Sequence, residues 1–292
     1  MIPREILQKV RRIEIKTQNI VNTILSGEYH SAFKGKGMEF SEVRAYVEGD
    51  DIRTIDWNVT ARTGAPHIKK HVEERELTVM MVVDASASGN FGSVNQMKAE
   101  MAVELCAVLA FSAIRNNDRV GLIIFTSEVE KYVPPKKGKN HVLRVIRELL
   151  YFRPRKTGTN IGDACGFLNR VLRKRAVVFL VSDFIDAGFE APLRITSRRH
   201  DCIAIRLTDP REREFRDVGL VELEDPEQGG TVLVDSRRRA FREFFRREVA
   251  SRDAALRGMF RANRIDEIAV STDTDYVDPL VRFFKRREKV MA

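Results

Sequence analysis

The chain has 292 residues, 43% hydrophobic and 32% charged, enough for one large α/β core with an appendage or for two small domains. Lys plus Arg number 51 against 42 Asp plus Glu, and the formal charge of +9 favours acidic partners in general without singling out nucleic acid. Cys106, Cys165 and Cys202 are scattered, odd in number and free of any C-x-x-C pair, so a disulfide scaffold is excluded and buried thiols in a reducing compartment are expected. There is no signal-peptide core, and no apolar run approaches the roughly 20 residues of a membrane helix, so the expected location is the cytoplasm, without membrane insertion.

Residues 4–25 carry Ile6, Val10, Ile13, Ile20 and Ile24 at helical spacing, with Gly27 as the stop. Residues 28–66 mix Gly35, Gly37, Gly49 and Gly64 with polar and aromatic residues and read as short strands and turns. The pattern then changes. Residues 77–83 form a β-favouring run ending at Asp84, and residues 97–114 are apolar almost all round, as in a helix buried on most sides. Strands are expected at 120–125 and around 131–133, and helices at 142–152 and 161–173. A strand at 176–181 ends in Ser182 and Asp183, then come a helix at 189–197 and a strand at 202–207. This alternation predicts an α/β fold with a doubly wound, mostly parallel sheet flanked by helices. Residues 219–223 and 231–234 read as paired strands, 241–260 as a helix with a phenylalanine stripe, and 268–270 as a last strand.

In open α/β sheets, ligands collect outside the carboxyl ends of the strands. Two predicted strands end there in an aspartate. Asp84 opens the sequence D-x-S-x-S, and in an extended or turning loop residues at i, i+2 and i+4 can face one way. Asp84, Ser86 and Ser88 then present one carboxylate and two hydroxyls to one point. Thr159, in the loop before another helix, offers a third hydroxyl, and Asp183 a second carboxylate. Such hard oxygen ligands suit Mg²⁺ or Mn²⁺, and also Ca²⁺, far better than zinc. Two carboxylates balance one divalent cation and leave room for a partner's carboxylate to replace a water. The competing reading is a turn of small polar residues that satisfies its own backbone, with Thr159 or Asn160 merely capping the next helix.

The set Asp84, Ser86, Ser88, Thr159 and Asp183 resembles the metal-ion-dependent adhesion site of von Willebrand factor A domains, a likeness spanning about residues 76–275. One departure is Phe184 after Asp183, where that family usually has glycine. Upstream stand Gly35-Lys36-Gly37-Met38-Glu39-Phe40, Arg44-Ala45-Tyr46, the run from Gly49 to Trp57 and Thr60-Ala61-Arg62. These resemble the signature of the bacterial domain of unknown function 58 family, where it precedes a von Willebrand factor A-like fold. The resemblance implies an N-terminal helix and signature segment over 1–75 and a von Willebrand factor A-like domain with a helical extension over 76–292. It also implies a metal-dependent protein-binding adaptor that acts with a MoxR-type AAA+ ATPase in maturing or remodelling other proteins. The partner supplying the acidic residue is then that ATPase or its client. Many family members carry N-terminal membrane helices; no such stretch stands in this sequence, which fits a cytoplasmic form.

The chain has no P-loop, no dinucleotide-binding G-x-G-x-x-G and no H-E-x-x-H, and its five histidines show no ligand spacing, so an enzyme is not expected. A metal-dependent phosphodiesterase or nuclease built on Asp84 and Asp183 is the enzymatic alternative, but that chemistry commonly wants more carboxylates and two metals. The arginines between 237 and 264 suggest phosphate contacts and nucleic-acid binding. They share their segment with the phenylalanine stripe and with Glu243, Glu248 and Asp253, which favours a solvated basic face on a docked helix. Arg44, Asp50, Asp51, Arg53, Asp56 and Arg62 read either as a partner or ligand site or, as the favoured reading, as a network of charge-assisted hydrogen bonds locking the signature segment to the main domain, with Trp57 expected to pack and not to stack on a ligand.

Overall fold

A computed structural model of the chain describes residues 4–22, 29, 32–33, 39–47, 49–72, 76–93, 96–224 and 230–291. Its frame follows from four apolar runs. Strands β3 (Thr78–Asp84), β4 (Arg119–Phe125), β6 (Val177–Ser182) and β7 (Asp201–Thr208) are buried along nearly their whole length. Continuous burial of this kind requires cover on both faces of the sheet. The sheet has six strands in the order β10-β7-β6-β3-β4-β5, with β10 (Asp266–Ser271) at one edge and β5 (Val129–Lys136) at the other. All neighbours are parallel except β5, which returns antiparallel to β4.

Alternation along β3 shows how the two covering layers are served. Val79, Met81 and Val83 point into one apolar cluster, and Met80 and Val82 into the other. The first cluster is closed by α1 (Arg4–Ile20), α3 (Lys98–Arg115), α4 (Lys139–Leu150) and α8 (Val277–Met291). The second is closed by α5 (Ile161–Val171), α6 (Glu190–Arg199) and the C-terminal end of α7 (Arg239–Ala262), which contributes Leu256, Met259 and Phe260. The predicted doubly wound sheet is therefore present. Cys106, Cys165 and Cys202 are free and buried, and burial pushes the Cys106 thiol up to about 12.

Three features differ from the sequence expectations. Helix α1 is described as far as Ile20, and the expected stop at Gly27 lies outside the described residues. Helix α8 was not expected. It buries Leu280, Phe283 and Phe284, and its Arg287 lies 4.8 Å from the Phe33 ring while pairing with Asp201 and Asp266. The third difference concerns the signature segment. Strands β1 (Glu39–Ala45) and β2 (His67–Val72) form their own antiparallel pair. Asp50 pairs with Arg44 at 2.7 Å, Asp51 accepts from the Arg53 N–H, and Asp56 caps α2 (Trp57–Thr63) by accepting from the N–H groups of Asn58 and Val59. These contacts hold the turns of the segment itself. Trp57, expected to pack, is 67% exposed. Residues 34–38 of the signature lie outside the described set.

The remaining pair, β8 (Leu220–Glu224) and β9 (Thr231–Asp235), is antiparallel as predicted. Phe215 meets the α7 stripe edge-on, 5.4 Å from Phe241 and 4.7 Å from Phe245. Arg239 on the same helix is exposed and paired with Glu243, as on a solvated basic face. Among the described residues no helix is long and apolar enough to cross a membrane.

Asp118, just before β4, is buried and accepts from the Leu77 N–H at 2.9 Å and from the Tyr29 hydroxyl at 3.3 Å. Burial outweighs those bonds and pushes its carboxyl up to about 6. The folded state therefore holds this proton more tightly than the unfolded chain. The contribution to stability is present below the ordinary carboxylate value and is lost as pH rises through about 6. Asp118→Asn removes the dependence. Urea unfolding of both proteins at pH 4 and pH 7 should show the wild type losing on the order of 2 kcal/mol relative to the variant as pH rises. An unchanged difference between the two proteins would refute this reading.

Candidate metal centre

The chain runs from β3 outward through β4 to β5, then crosses back to β6 and runs outward the other way through β7 to β10. Loops leaving β3 and β6 therefore diverge, and the crevice between them is the switch point at which open α/β sheets take ligands. Asp84 is the last residue of β3, and Asp183 follows the last residue of β6.

The Asp84 loop curls back on its own carboxylate. Asp84 Oδ1 accepts from the Ser86 N–H at 2.9 Å, and Oδ2 from the Ser182 hydroxyl at 2.6 Å. Ser86 Oγ and Ser88 Oγ are 3.0 Å apart. A short 3-10 turn, Ala87–Asn90, then carries the chain away. Asp84, Ser86, Ser88, Lys98, Ser182 and Asp183 line a cavity of about 20 Å³. That is room for one water-sized guest. The spacing of D-x-S-x-S thus brings one carboxylate and two hydroxyls to one cavity, with Asp183 in its wall. Thr159 does not line it. Its loop lies alongside the first, tied by the Ala87 N–H donating to the Thr157 carbonyl at 2.9 Å. Asn160 rather than Thr159 caps α5, accepting from the Asp163 N–H.

Burial and the nearby Asp183 carboxylate push Asp84 up to about 6, against the pull of the Ser182 and Ser86 bonds. Asp183 is answered by a residue that the sequence reading did not single out. Lys98, the first residue of α3, is 2% exposed and donates to Asp183 Oδ2 at 2.7 Å and to Glu212 Oε1 at 2.6 Å. Burial alone would lower the Lys98 value, but the two carboxylates outweigh it and hold the ammonium above its ordinary range. A signal for Lys98 was present: a lone cation in the first turn of an apolar helix, at the wrong end of the helix dipole. Its partners were not legible, because they stand 85 and 114 residues away.

Phe184 explains a departure noted in the sequence. Its φ is 59°, in the left-handed region that glycine enters freely and bulky residues rarely do. The backbone here makes a turn of the kind that glycine makes freely. The side chain is retained for packing: it is 4% exposed, 5.2 Å from Phe260 and 6.1 Å from Phe189 by ring centroids. The Ser182 hydroxyl accepts from the Phe184 N–H at 3.0 Å and so holds the turn to the site.

Residues 42–255 match the family described as protein of unknown function DUF58. The chain belongs to that family. The uncharacterized protein Mb1516 of Mycobacterium bovis is 32% identical over 283 residues, spanning 96% of this chain and 89% of its own. The uncharacterized protein Rv1480 of Mycobacterium tuberculosis matches to the same extent. Among solved structures, BatB from Bacteroides thetaiotaomicron is similar at a TM-score of 0.49 and 16% identity, over 73% of this chain and 99% of that one. The SpRpn10 VWA domain is similar at a TM-score of 0.42 and 11% identity, over 72% and 95%. The DUF58 chain carries the doubly wound, mostly parallel sheet expected from its sequence, with one antiparallel edge strand and the aspartate loop at the switch point.

The oxygen donors suit a hard cation: carboxylate and hydroxyl oxygens meet at a water-sized cavity, with no sulfur or imidazole among its described lining residues, though the Lys98 ammonium stands in the same wall. Among the described residues no group of three or more His, Cys, Asp or Glu could hold a metal ion, so any cation here rests on two carboxylates and on hydroxyls. Ser182, also missed in the sequence, orients Asp84 and satisfies the buried Phe184 N–H. Ser182→Ala should cost about 1–3 kcal/mol in urea unfolding, because it leaves that N–H unpaired and strips a bond from a buried carboxylate. A variant as stable as the wild type would show that the hydroxyl is dispensable.

Proposed function

We propose that this DUF58 chain is a non-enzymatic, metal-dependent protein-binding adaptor of the cytoplasm. The observation that carries the reading is the convergence of Asp84, Ser86 and Ser88 on one small cavity at the sheet's switch point. Asp84 and the two serine hydroxyls would hold the ion, with Asp183 at its wall and the Thr159 loop beside it. Mg²⁺ suits these ligands best, with Mn²⁺ and Ca²⁺ as alternatives. Bound there, the ion supplies an open coordination position for a carboxylate oxygen. The protein's own part is to orient the ligands: Ser182 fixes the Asp84 carboxylate, and the Ser86 N–H holds its other oxygen.

The recognised group is then an acidic side chain of a partner protein. The resemblance to DUF58 members that act beside MoxR-type AAA+ ATPases makes such an ATPase, or its client, the partner of choice. The scarcity of carboxylates at the cavity speaks against a two-metal phosphodiesterase, whose chemistry needs a fuller acidic cage.

Asp84→Ala should remove the site, the carboxylate together with the bond that holds the Ser86 loop, while the buried strands of the sheet remain. Binding to a purified MoxR-type ATPase, and separately to its client, is measured by biolayer interferometry in Mg²⁺ and in EDTA. Wild-type affinity for one of them should fall about tenfold or more in EDTA, and the variant should bind weakly in both, as expected when a metal–carboxylate contact is lost. Equal binding by both proteins with and without metal would overturn the proposal.

A further inference from the structure

A cavity built for a hard cation has no use for a lysine in its wall, yet Lys98 stands there. Three features make its position costly. It is 2% exposed, so its ammonium has lost its water. It is the first residue of the 18-residue helix α3, where the helix dipole repels positive charge. A buried ion set of this kind also commonly stabilises no better than apolar residues of the same volume. The ammonium is retained against all three by two carboxylates, which differ in kind. Asp183 is 4% exposed and faces the cavity. Glu212 is 20% exposed, does not line the cavity, and sits on the 3-10 turn Pro210–Glu212 after β7.

The charge of the cluster is informative. Asp84, Asp183 and Glu212 set against Lys98 leave a formal charge of −2. One divalent cation cancels it without expelling the lysine, provided the ammonium changes partner. Without metal, Lys98 neutralises Asp183. With metal on Asp84 and Asp183, Lys98 keeps Glu212. Asp183 and the ammonium are then paired in both states.

We propose that Lys98 is an exchangeable counter-ion of the metal site, competing with the divalent cation for Asp183, and that Glu212 is the carboxylate that keeps the ammonium paired once the metal has taken Asp183. The proposal rests on the metal-binding reading above and adds its regulation. Metal affinity is held down by a built-in competitor, and the loop after β7 senses whether the site is loaded. That loop is anchored by Asp209, which accepts from Ser93 at the end of the Asp84 loop and from Thr272 beyond β10.

The two partners of the exchange act in opposite directions. Lys98→Met removes the competitor and should tighten metal binding. Glu212→Gln removes the carboxylate that shelters the ammonium in the loaded state and should weaken it. A merely structural role would lower stability in both variants without this opposition of signs. The experiment is a Mn²⁺ titration of the full chain followed by the electron paramagnetic resonance of free Mn²⁺, with Mg²⁺ as competitor and Asp84→Ala as the variant without a site. Relative to wild type, Lys98→Met should bind about tenfold or more tightly and Glu212→Gln about tenfold or more weakly, the scale of one buried charge pairing gained or lost. Thermal unfolding checks that each variant is folded. If Lys98→Met is not, Lys98→Gln, which keeps length and hydrogen bonding without charge, takes its place.

If the wild type binds Mn²⁺ and the Lys98 variant binds no better, the exchange is overturned and the metal site stands. If neither binds, both ideas fall. If only the Lys98 variant binds, the lysine is a permanent resident of the site, and both the exchange and the metal-dependent reading of the native protein are overturned.

Discussion

Two carboxylates at the ends of adjacent buried strands cannot both stay ionised in a closed crevice without a cation nearby. That constraint organises the molecule. The parallel sheet is covered on both faces, so polar chemistry is driven to its carboxyl edge, and the reversal of strand order places Asp84 and Asp183 at the one crevice there. The local answers are all visible. Ser182 and the Ser86 N–H hold Asp84, and Lys98 holds Asp183. The residual strain is read in Asp84 itself, whose carboxyl is pushed up to about 6 by burial and by Asp183. A fold that needed only stability could have put apolar residues at these positions. This one keeps three carboxylates and one ammonium within a single cluster.

Phe184 shows how the same edge is reconciled with the core. The turn after Asp183 needs a positive φ, which costs a bulky residue of order 1–3 kcal/mol. Glycine would avoid the strain but leave a hole between α6 and α7, where Phe184 meets Phe189 and Phe260. Filling that space offsets the strain, since a buried phenylalanine is commonly worth about 3–5 kcal/mol against its truncation. The phenylalanine at this position therefore serves the packing behind the loop.

The fold was legible because its strongest determinants are local. Four strands buried on both faces read as unbroken apolar runs, and the helices between them as periodic ones. The D-x-S-x-S loop was legible for the same reason, since its three ligands lie within five residues. What escaped was non-local or mixed in character. Lys98 meets Asp183 and Glu212 only after β6 and β7 have been laid down beside β3. Helix α8 hides its apolar stripe of Leu280, Phe283 and Phe284 among Arg282, Lys285, Arg286 and Arg287, a composition that reads as a solvated tail. Arg287 belongs to the core side of that helix, its guanidinium stacked near Phe33 and paired with two aspartates, so a basic residue there is a packing element. Trp57 misled in the opposite sense, because an aromatic in a small two-stranded segment has little core to enter.

Charge is thus sorted by depth in this protein. On the outer face of α7, Arg239 pairs with Glu243 in solvent, where such contacts contribute little. One layer in, Arg206 on β7 is 4% exposed and bonds to Asp253 of α7 and Glu267 of β10, which pins the long helix to the sheet. Deepest is the Lys98 cluster. Two of the buried cations, Lys98 and Arg206, are adjacent in the architecture: Arg206 and the Lys98 partner Glu212 share the wall of a second small cavity beside Asp183, under Val249 and Leu256 of α7. Glu212 thus borders the place where Arg206 anchors α7, the element that carries the arginines and the Phe241 and Phe245 rings that meet Phe215. The deepest charge cluster and the anchor of the arginine-rich helix are therefore neighbours, and both rest on residues of β7 and the turn after it.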